Sequence, residues 1–266
     1  MNPTIDLLMQ RRSVRAYSDR EVLATEKETI LRAAMRAATA GNMMLYSIIE
    51  VEEQTLKDRL TVTCDNQPFI AKAPYVLLFC ADYQRWYDYY LVAGVKALCD
   101  ARDIPMRRPE EGDMMLACCD TLIAAQTAVT AAEALGMGAC YIGDILERYE
   151  IHRELFQLPQ YVLPVVLVCL GYPATDQEKR PLTPRFGEEF IVHQNRYHRL
   201  EADELERMFQ KRNEKFRATL GRSELENVGQ FNYLRKFSAD FSVEMSRSVR
   251  AMIKAWTGNE DLSQET

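Results

Sequence analysis

The sequence predicts a mixed fold in which helices and strands share a core. Two apolar runs carry the strand half of that expectation, Ala73-Pro74-Tyr75-Val76-Leu77-Leu78-Phe79-Cys80-Ala81 and Val162-Leu163-Pro164-Val165-Val166-Leu167-Val168-Cys169-Leu170. Each is short, nearly continuous in apolar residues and followed or preceded by turn formers, the pattern of a strand covered on both faces. The helix half rests on residues 113–135, where alanine and leucine dominate and Gly136 supplies a natural stop. So much alanine permits close contacts on several sides, which puts this helix at the centre of the fold or in a subunit interface.

Composition bounds the function. The 266 residues are 47% hydrophobic and 27% charged, enough for a substantial core in one large domain or two small ones. A net charge of -6 argues against nucleic acid or an anionic membrane as partner, so any anion site must be local. No run reaches the roughly 18 continuous apolar residues of a membrane span. Met1-Asn2-Pro3-Thr4-Ile5-Asp6 lacks the charged and apolar regions of a signal peptide. Seven cysteines, mostly in apolar surroundings, fit reduced thiols in a cytoplasmic protein, and without CxxC spacing they do not suggest zinc or a dithiol.

In chain order, Thr4-Ile5-Asp6-Leu7-Leu8-Met9 reads as a capped helix start. It runs into Gln10-Arg11-Arg12-Ser13-Val14-Arg15-Ala16-Tyr17, three guanidiniums and a hydroxyl within five residues. Planar, permanently charged forks suit phosphate. The same run also suits a solvated helix end with cations facing the dipole. Thr25-Glu26-Lys27-Glu28 opens a second helix with a capping-box pattern, and Ile30, Leu31, Ala34 and Ala38 follow at helical spacing. It ends in Ala38-Thr39-Ala40-Gly41-Asn42, small residues that let backbone approach a ligand closely. Tyr46–Val51 then reads as a strand, and Asp65-Asn66-Gln67-Pro68-Phe69 as a loop with amide side chains.

Residues 82–112 carry Tyr83, Trp86, Tyr87, Tyr89 and Tyr90. These rings suit either a cover for a flat ligand or an amphipathic helix packing on its own core. Gly136-Met137-Gly138-Ala139-Cys140-Tyr141-Ile142-Gly143-Asp144 has the glycine spacing of a phosphate loop, but Asp144-Ile145 stands where Lys-Ser/Thr would reach the phosphates. Tyr141 likewise breaks GxGxxG, so neither nucleotide motif is present. Lys179-Arg180-Pro181 and Pro184-Arg185-Phe186 form a second basic, proline-rich loop. Residues 201–216 read as a charged helix, and 240–256 as a helix expected to dock through Phe241, Met245, Val249, Met252, Ile253 and Trp256.

Self-sufficient side-chain catalysis finds little here. His152, His193 and His198 have neither metal-helix nor triad spacing, and Ser13 lacks a nucleophile elbow. A cofactor enzyme or a binding protein is the better reading.

Five segments in one order carry a resemblance: Arg11-Arg12-Ser13-Val14-Arg15-Ala16-Tyr17, Ala38–Asn42, Ala132–Gly143, Leu170-Gly171-Tyr172-Pro173 and Pro184-Arg185-Phe186. Together they resemble the FMN-dependent nitroreductase family, in its flavin-reductase-like branch with a long C-terminal extension, over residues 4–197. The resemblance implies an α+β fold, a mainly antiparallel sheet flanked by helices, in an interlocked homodimer. It implies an FMN-binding domain over 1–200 and a helical extension over 201–266 that packs on the partner subunit. Arg11, Arg12, Ser13 and Arg15 match the family's phosphate clamp, with Arg185 added from the proline loop. Thr39 and Asn42 match positions near the flavin and ribityl chain, and Gln67 matches an amide at the ring edge. Tyr141, Ile142 and Gly143 match a segment whose backbone lies along the ring.

Two departures stand out. Met44 occupies a position where many relatives have Gln, and Thr183-Pro184-Arg185 replaces Lys-Pro-Arg, with Lys179 or Arg180 as substitute cations. The implied activity is ping-pong transfer from NADPH or NADH through FMN to a small planar acceptor: a nitroaromatic, a quinone or free flavin. No side chain need act as nucleophile or base, and Arg217 and Arg222 are candidate contacts for an NADPH 2′-phosphate. Another acceptor on the same flavin, or flavin binding without turnover, are the alternatives.

Overall fold

A computed structural model describes residues 2–174, 181–220 and 224–258. Lys179, Arg180 and Arg222 lie outside the described residues. The chain divides into two compact units, residues 1–180 with 244–266, and residues 181–243.

In the first unit, α1 (Pro3–Gln10) is capped by Asn2 rather than Thr4: Asn2 Oδ1 accepts from the Thr4 N–H at 2.9 Å. α2 (Ala24–Ala34) likewise starts two residues from where its capping pattern was read, because the Glu26 carboxylate reaches back to the Leu23 N–H at 2.9 Å. β1 (Tyr46–Glu50), α3 (Gln54–Thr63), α4 (Phe69–Lys72) and β2 (Tyr75–Asp82) follow. The aromatic insertion folds into α5 (Gln84–Val92) and α6 (Val95–Ala101). Then come α7 (Glu111–Ala134), β3 (Gly138–Ile142), α8 (Tyr149–Leu155) and β4 (Val162–Gly171).

The four strands form one sheet in the order β1-β2-β4-β3, each neighbouring pair antiparallel. The α+β expectation therefore holds. Its central strands are covered on both faces. Tyr75, Leu77, Phe79, Val166, Val168 and Leu170 face a core shared with α2 and α7, while Val76, Leu78, Cys80, Leu167 and Cys169 face a core holding Leu60, Ile70 and Ile145. Two-sided burial explains why β2 and β4 read as unbroken apolar runs. Pro164 sits in the interior of the sheet, where proline removes a ladder donor; the register slips between Phe79 and Cys80, and this bulge accommodates it.

α7 buries Ala117, Asp120, Thr121, Ala124, Ala125, Ala128, Val129 and Ala132, and exposes Met115, Leu116, Leu122 and Ile123. By length and composition it is apolar enough to cross a membrane, but its buried stripe belongs to the core over the sheet. It ends in a Schellman motif: Gly136 at φ 82°, with Gly136 N–H to Glu133 O and Met137 N–H to Ala132 O, both at 3.0 Å.

The last helix, α11 (Asp240–Thr257), docks as its apolar face predicts, but within its own chain. Met252 and Trp256 join a core with Leu45, Tyr149, Tyr161 and Leu163, and Trp256 Nε1 donates to the Glu110 carbonyl at 3.1 Å. These contacts return residues 244–258 to the first unit, in place of the single extension expected from residue 201. The second unit, taken by itself, contains α9 (Ala202–Leu220) and α10 (Val228–Asn232), joined by the Phe216–Phe231 ring contact at 5.5 Å.

Candidate functional site

The arginine segment leaves α1 in extended conformation and runs along the free edge of β3. Ser13 bridges Ala139 in parallel register, and the Val14 N–H donates to the Ala139 carbonyl at 2.9 Å. Close approach requires Gly138: a Cβ there would lie 2.2 Å from Val14 Cγ2. A basic segment is thus fixed along a sheet edge, with Ser13 and Arg15 exposed and Arg12 half-buried.

The arginines do different things. Arg11 Nε lies 3.5 Å from Glu133 Oε1 on α7, and its guanidinium is 5.9 Å from the Tyr141 ring centroid. Its charge is thus turned toward the protein. Burial pushes the Glu133 carboxyl up to about 7, with Arg11 opposing. Arg15 lies over the Phe69 ring at 5.8 Å and beside Cys140. Burial raises the Cys140 thiol, and Arg15 and Ser13 hold that rise back.

Gln67 is close to the end of β3. Its Nε2 donates to the Cys64 carbonyl at 2.9 Å and to Asp144 Oδ2 at 2.8 Å. Tyr141 points to the other side of the sheet, its hydroxyl 3.2 Å from Gln126 Oε1. Gly143 differs from Gly138, since a Cβ on it would meet nothing within 4 Å and its φ is not left-handed. Below this loop, His152 is fully buried, with Nδ1 2.9 Å from the Ile145 carbonyl and Nε2 2.8 Å from Thr63 Oγ1. Burial lowers its pKa, so it braces the loop as a neutral ring.

Thr39, Asn42 and Met44 form a second group. The Thr39 hydroxyl donates to Asp120 Oδ2 and accepts from the Met44 N–H at 2.8 Å. Asp120, only 2% exposed, also accepts from the Ala40 N–H at 3.1 Å and the Leu45 N–H at 3.2 Å. Gly41, Asn42 and Met44 all have φ near +50° to +60°, a tight turn held by that one carboxylate. Sequence reasoning missed Asp120, although an acid among alanines and leucines was a readable signal. Met44 packs against the main core, and its carbonyl accepts from Arg85 at 2.7 Å.

These two groups do not meet within one chain. The first lies on β3 and the second leads into β1, at opposite edges of the sheet, so three strand spacings, roughly 14 Å, separate the edges. Along α7, Thr39 contacts Asp120 while Arg11 contacts Glu133, thirteen residues or about 20 Å further on. Arg185 belongs to the second unit, where it is exposed. A cavity of about 310 Å³ between α1 and the end of α7 is lined by Arg11, Arg12 and Glu133 but by none of Thr39, Asn42, Gln67 or Gly143. It is separate from the loop groups.

An antiparallel sheet covered by helices on both faces, with a basic segment laid on one edge, defines the class of protein. Residues 8–172 match the family model of the Nitroreductase family. Over 201 residues the chain is 33% identical to the oxygen-insensitive NADPH nitroreductase of Salmonella typhimurium, covering 76% of this chain and 77% of that one. Over 206 residues it is 34% identical to the FMN reductase [NAD(P)H] of Bacillus subtilis, covering 77% and 78%. The solved structure of NfrA2 from B. megaterium is similar with a TM-score of 0.78 at 26% identity, over 96% of this chain and 98% of that one. The chain belongs to the nitroreductase family.

Proposed function

We propose that this chain is an FMN-dependent NAD(P)H oxidoreductase that reduces small planar acceptors such as nitroaromatics, quinones or free flavin. The observation that carries the reading is the set of exposed Ser13, Arg15 and Gly143 with half-buried Gln67, tied together by the Ser13–Ala139 bridge, the Arg15–Phe69 contact and the Gln67–Asp144 hydrogen bond. It offers a hydroxyl and a guanidinium for a phosphate, and a polar amide at the ring edge. Gly143 leaves an open face where a side chain would stand, which fits a flat ring laid against backbone. The donor set therefore fits FMN. Relatives named NADPH nitroreductase and FMN reductase support the same reading.

When bound, FMN supplies a two-electron carrier between nicotinamide and acceptor. The protein's part is to hold and orient it. Arg12, Ser13 and Arg15 bind the phosphate by charge-assisted hydrogen bonds, while Arg11 acts by fixing Tyr141 and Glu133. The chain works as a homodimer: the exposed apolar side of α7 pairs with its copy, and the Thr39–Met44 loop of one protomer completes the cleft of the other. This arrangement uses the loop that a single chain leaves at the opposite sheet edge. Seven free thiols suit the reducing cytoplasm.

Purified protein is expected to be yellow, or to become so on adding FMN, and to bleach with NADPH or NADH. A colourless protein that does not take up added FMN would sink the proposal. Arg15→Ala should weaken FMN by roughly tenfold to a hundredfold while leaving riboflavin within about threefold, because only FMN carries the phosphate. Titration by flavin fluorescence separates the two, and equal losses would remove Arg15 from the phosphate. Gly143→Ala should leave stability within about 0.5 kcal/mol, since the added methyl meets only open space. The same change should weaken FMN at least tenfold; unchanged affinity would move the ring away from Gly143.

A further inference from the structure

The Gln67 amide is held by two groups that can only accept. Its Nε2 donates to the Cys64 carbonyl at 2.9 Å and to Asp144 Oδ2 at 2.8 Å. A carbonyl and a carboxylate carry no proton to give, so the NH2 end must face inward, and the choice of amide orientation is fixed by chemistry. The backbone of Gln67 is tied as well, its N–H to the Thr61 carbonyl at 2.9 Å and its carbonyl to the Ile70 N–H at 3.1 Å. Oε1 has no partner among the described residues and is not one of the buried orphan atoms. It is a preset acceptor beside Gly143.

We propose that Asp144 is a positioning residue that locks Gln67 as a hydrogen-bond acceptor, so that the cleft selects planar heterocycles presenting an imide N–H. This rests on the FMN reading given above, in which the group concerned is the N3–H of the flavin ring. The residue next to Asp144 in space supports it. Glu147 is 4% exposed, and its Oε1 has no partner. Burial, then the charges of Asp144 and Asp65, push its carboxyl up to about 7. Burial favours the protonated form of Glu147, while Asp144 Oδ2 accepts from the amide. An alkyl group on N3 would instead press against Oε1 and leave it unpaired.

The test compares FMN with 3-methyl-FMN, titrated into flavin-free full-length protein. Wild type should bind FMN roughly tenfold to a hundredfold more tightly than its methylated analogue. Asp144→Ala should shrink that ratio severalfold, because the Cys64 carbonyl alone then orients the amide. Asp144→Asn, which keeps a carbonyl acceptor for Nε2, should retain most of the discrimination. Gln67→Ala should abolish it. A merely structural role for Asp144 would weaken both flavins together and leave the ratio intact, and that result overturns the proposal. Equal binding of FMN and 3-methyl-FMN by wild type overturns it too, with the function unaffected. Failure of wild type to bind either flavin would instead overturn the FMN reading.

Discussion

Asp120→Ala is expected to destabilise the protein by about 3–5 kcal/mol, because it strands several buried donors at once. The Thr39 hydroxyl and the Ala40 and Leu45 N–H groups all end on this carboxylate, and Leu45 is fully buried. The turn it holds contains three residues with left-handed backbone, two of them not glycine, so no alternative is built into the local sequence. For a chain of this size the loss corresponds to a fall in Tm on the order of 10 °C. Asp120→Asn should recover part of it, since the amide keeps one acceptor oxygen but turns its NH2 toward a donor. Thermal melts of the three proteins decide the matter. An alanine variant melting within about 2 °C of wild type would show that the turn is held by something else.

Gly138→Ala should cost about 1–3 kcal/mol as overpacking. It should also cost more than tenfold in FMN affinity. The added methyl would lie 2.2 Å from Val14 Cγ2 and 2.5 Å from Val14 Cβ, so the arginine segment must lift from the strand edge. That displacement reaches Ser13 and Arg15, which share the segment with Val14. The pairing makes a clear thermodynamic cycle. Val14→Gly removes every side-chain atom the methyl would meet, so the double variant should be more stable than the sum of the two single losses predicts, by at least about 0.5 kcal/mol. Chemical denaturation measures it, and simple additivity would exclude the contact as the cause.

Much of the fold was legible because it is encoded locally. β2 and β4 announce themselves by unbroken apolar runs, since helices cover both faces of the central sheet. α7 and its stop at Gly136 follow from alanine content and one left-handed residue. β3 was not legible as a strand. Gly138-Ala139-Cys140-Tyr141-Ile142 contains two small residues and pairs on one side with Ser13, far earlier in the chain. No local pattern carries that information. The same holds at the candidate site. The positions of Arg12, Ser13, Arg15, Gln67 and Gly143 in the order of motifs pointed to one ligand, but the different fate of Arg11 depends on Glu133, a residue it meets only through folding. Thr39, matched by resemblance to a position near the flavin and ribityl chain, has its hydroxyl engaged by Asp120, which only folding brings to it. The capping errors at Thr4 and Thr25 were shifts of two residues, where a neighbouring side chain supplied the better hydrogen bond.

The separation of the candidate residues onto two sheet edges has a genetic consequence. Under the proposed assembly, each cleft takes its phosphate clamp from one polypeptide and its Thr39–Met44 turn from the other. A copy damaged at Arg15 and a copy damaged in that turn are therefore each inactive alone. Expressed together, they form mixed dimers in which one cleft collects both lesions and the other collects none. Two loss-of-function alleles would then complement each other, whereas two alleles with lesions on the same edge would not.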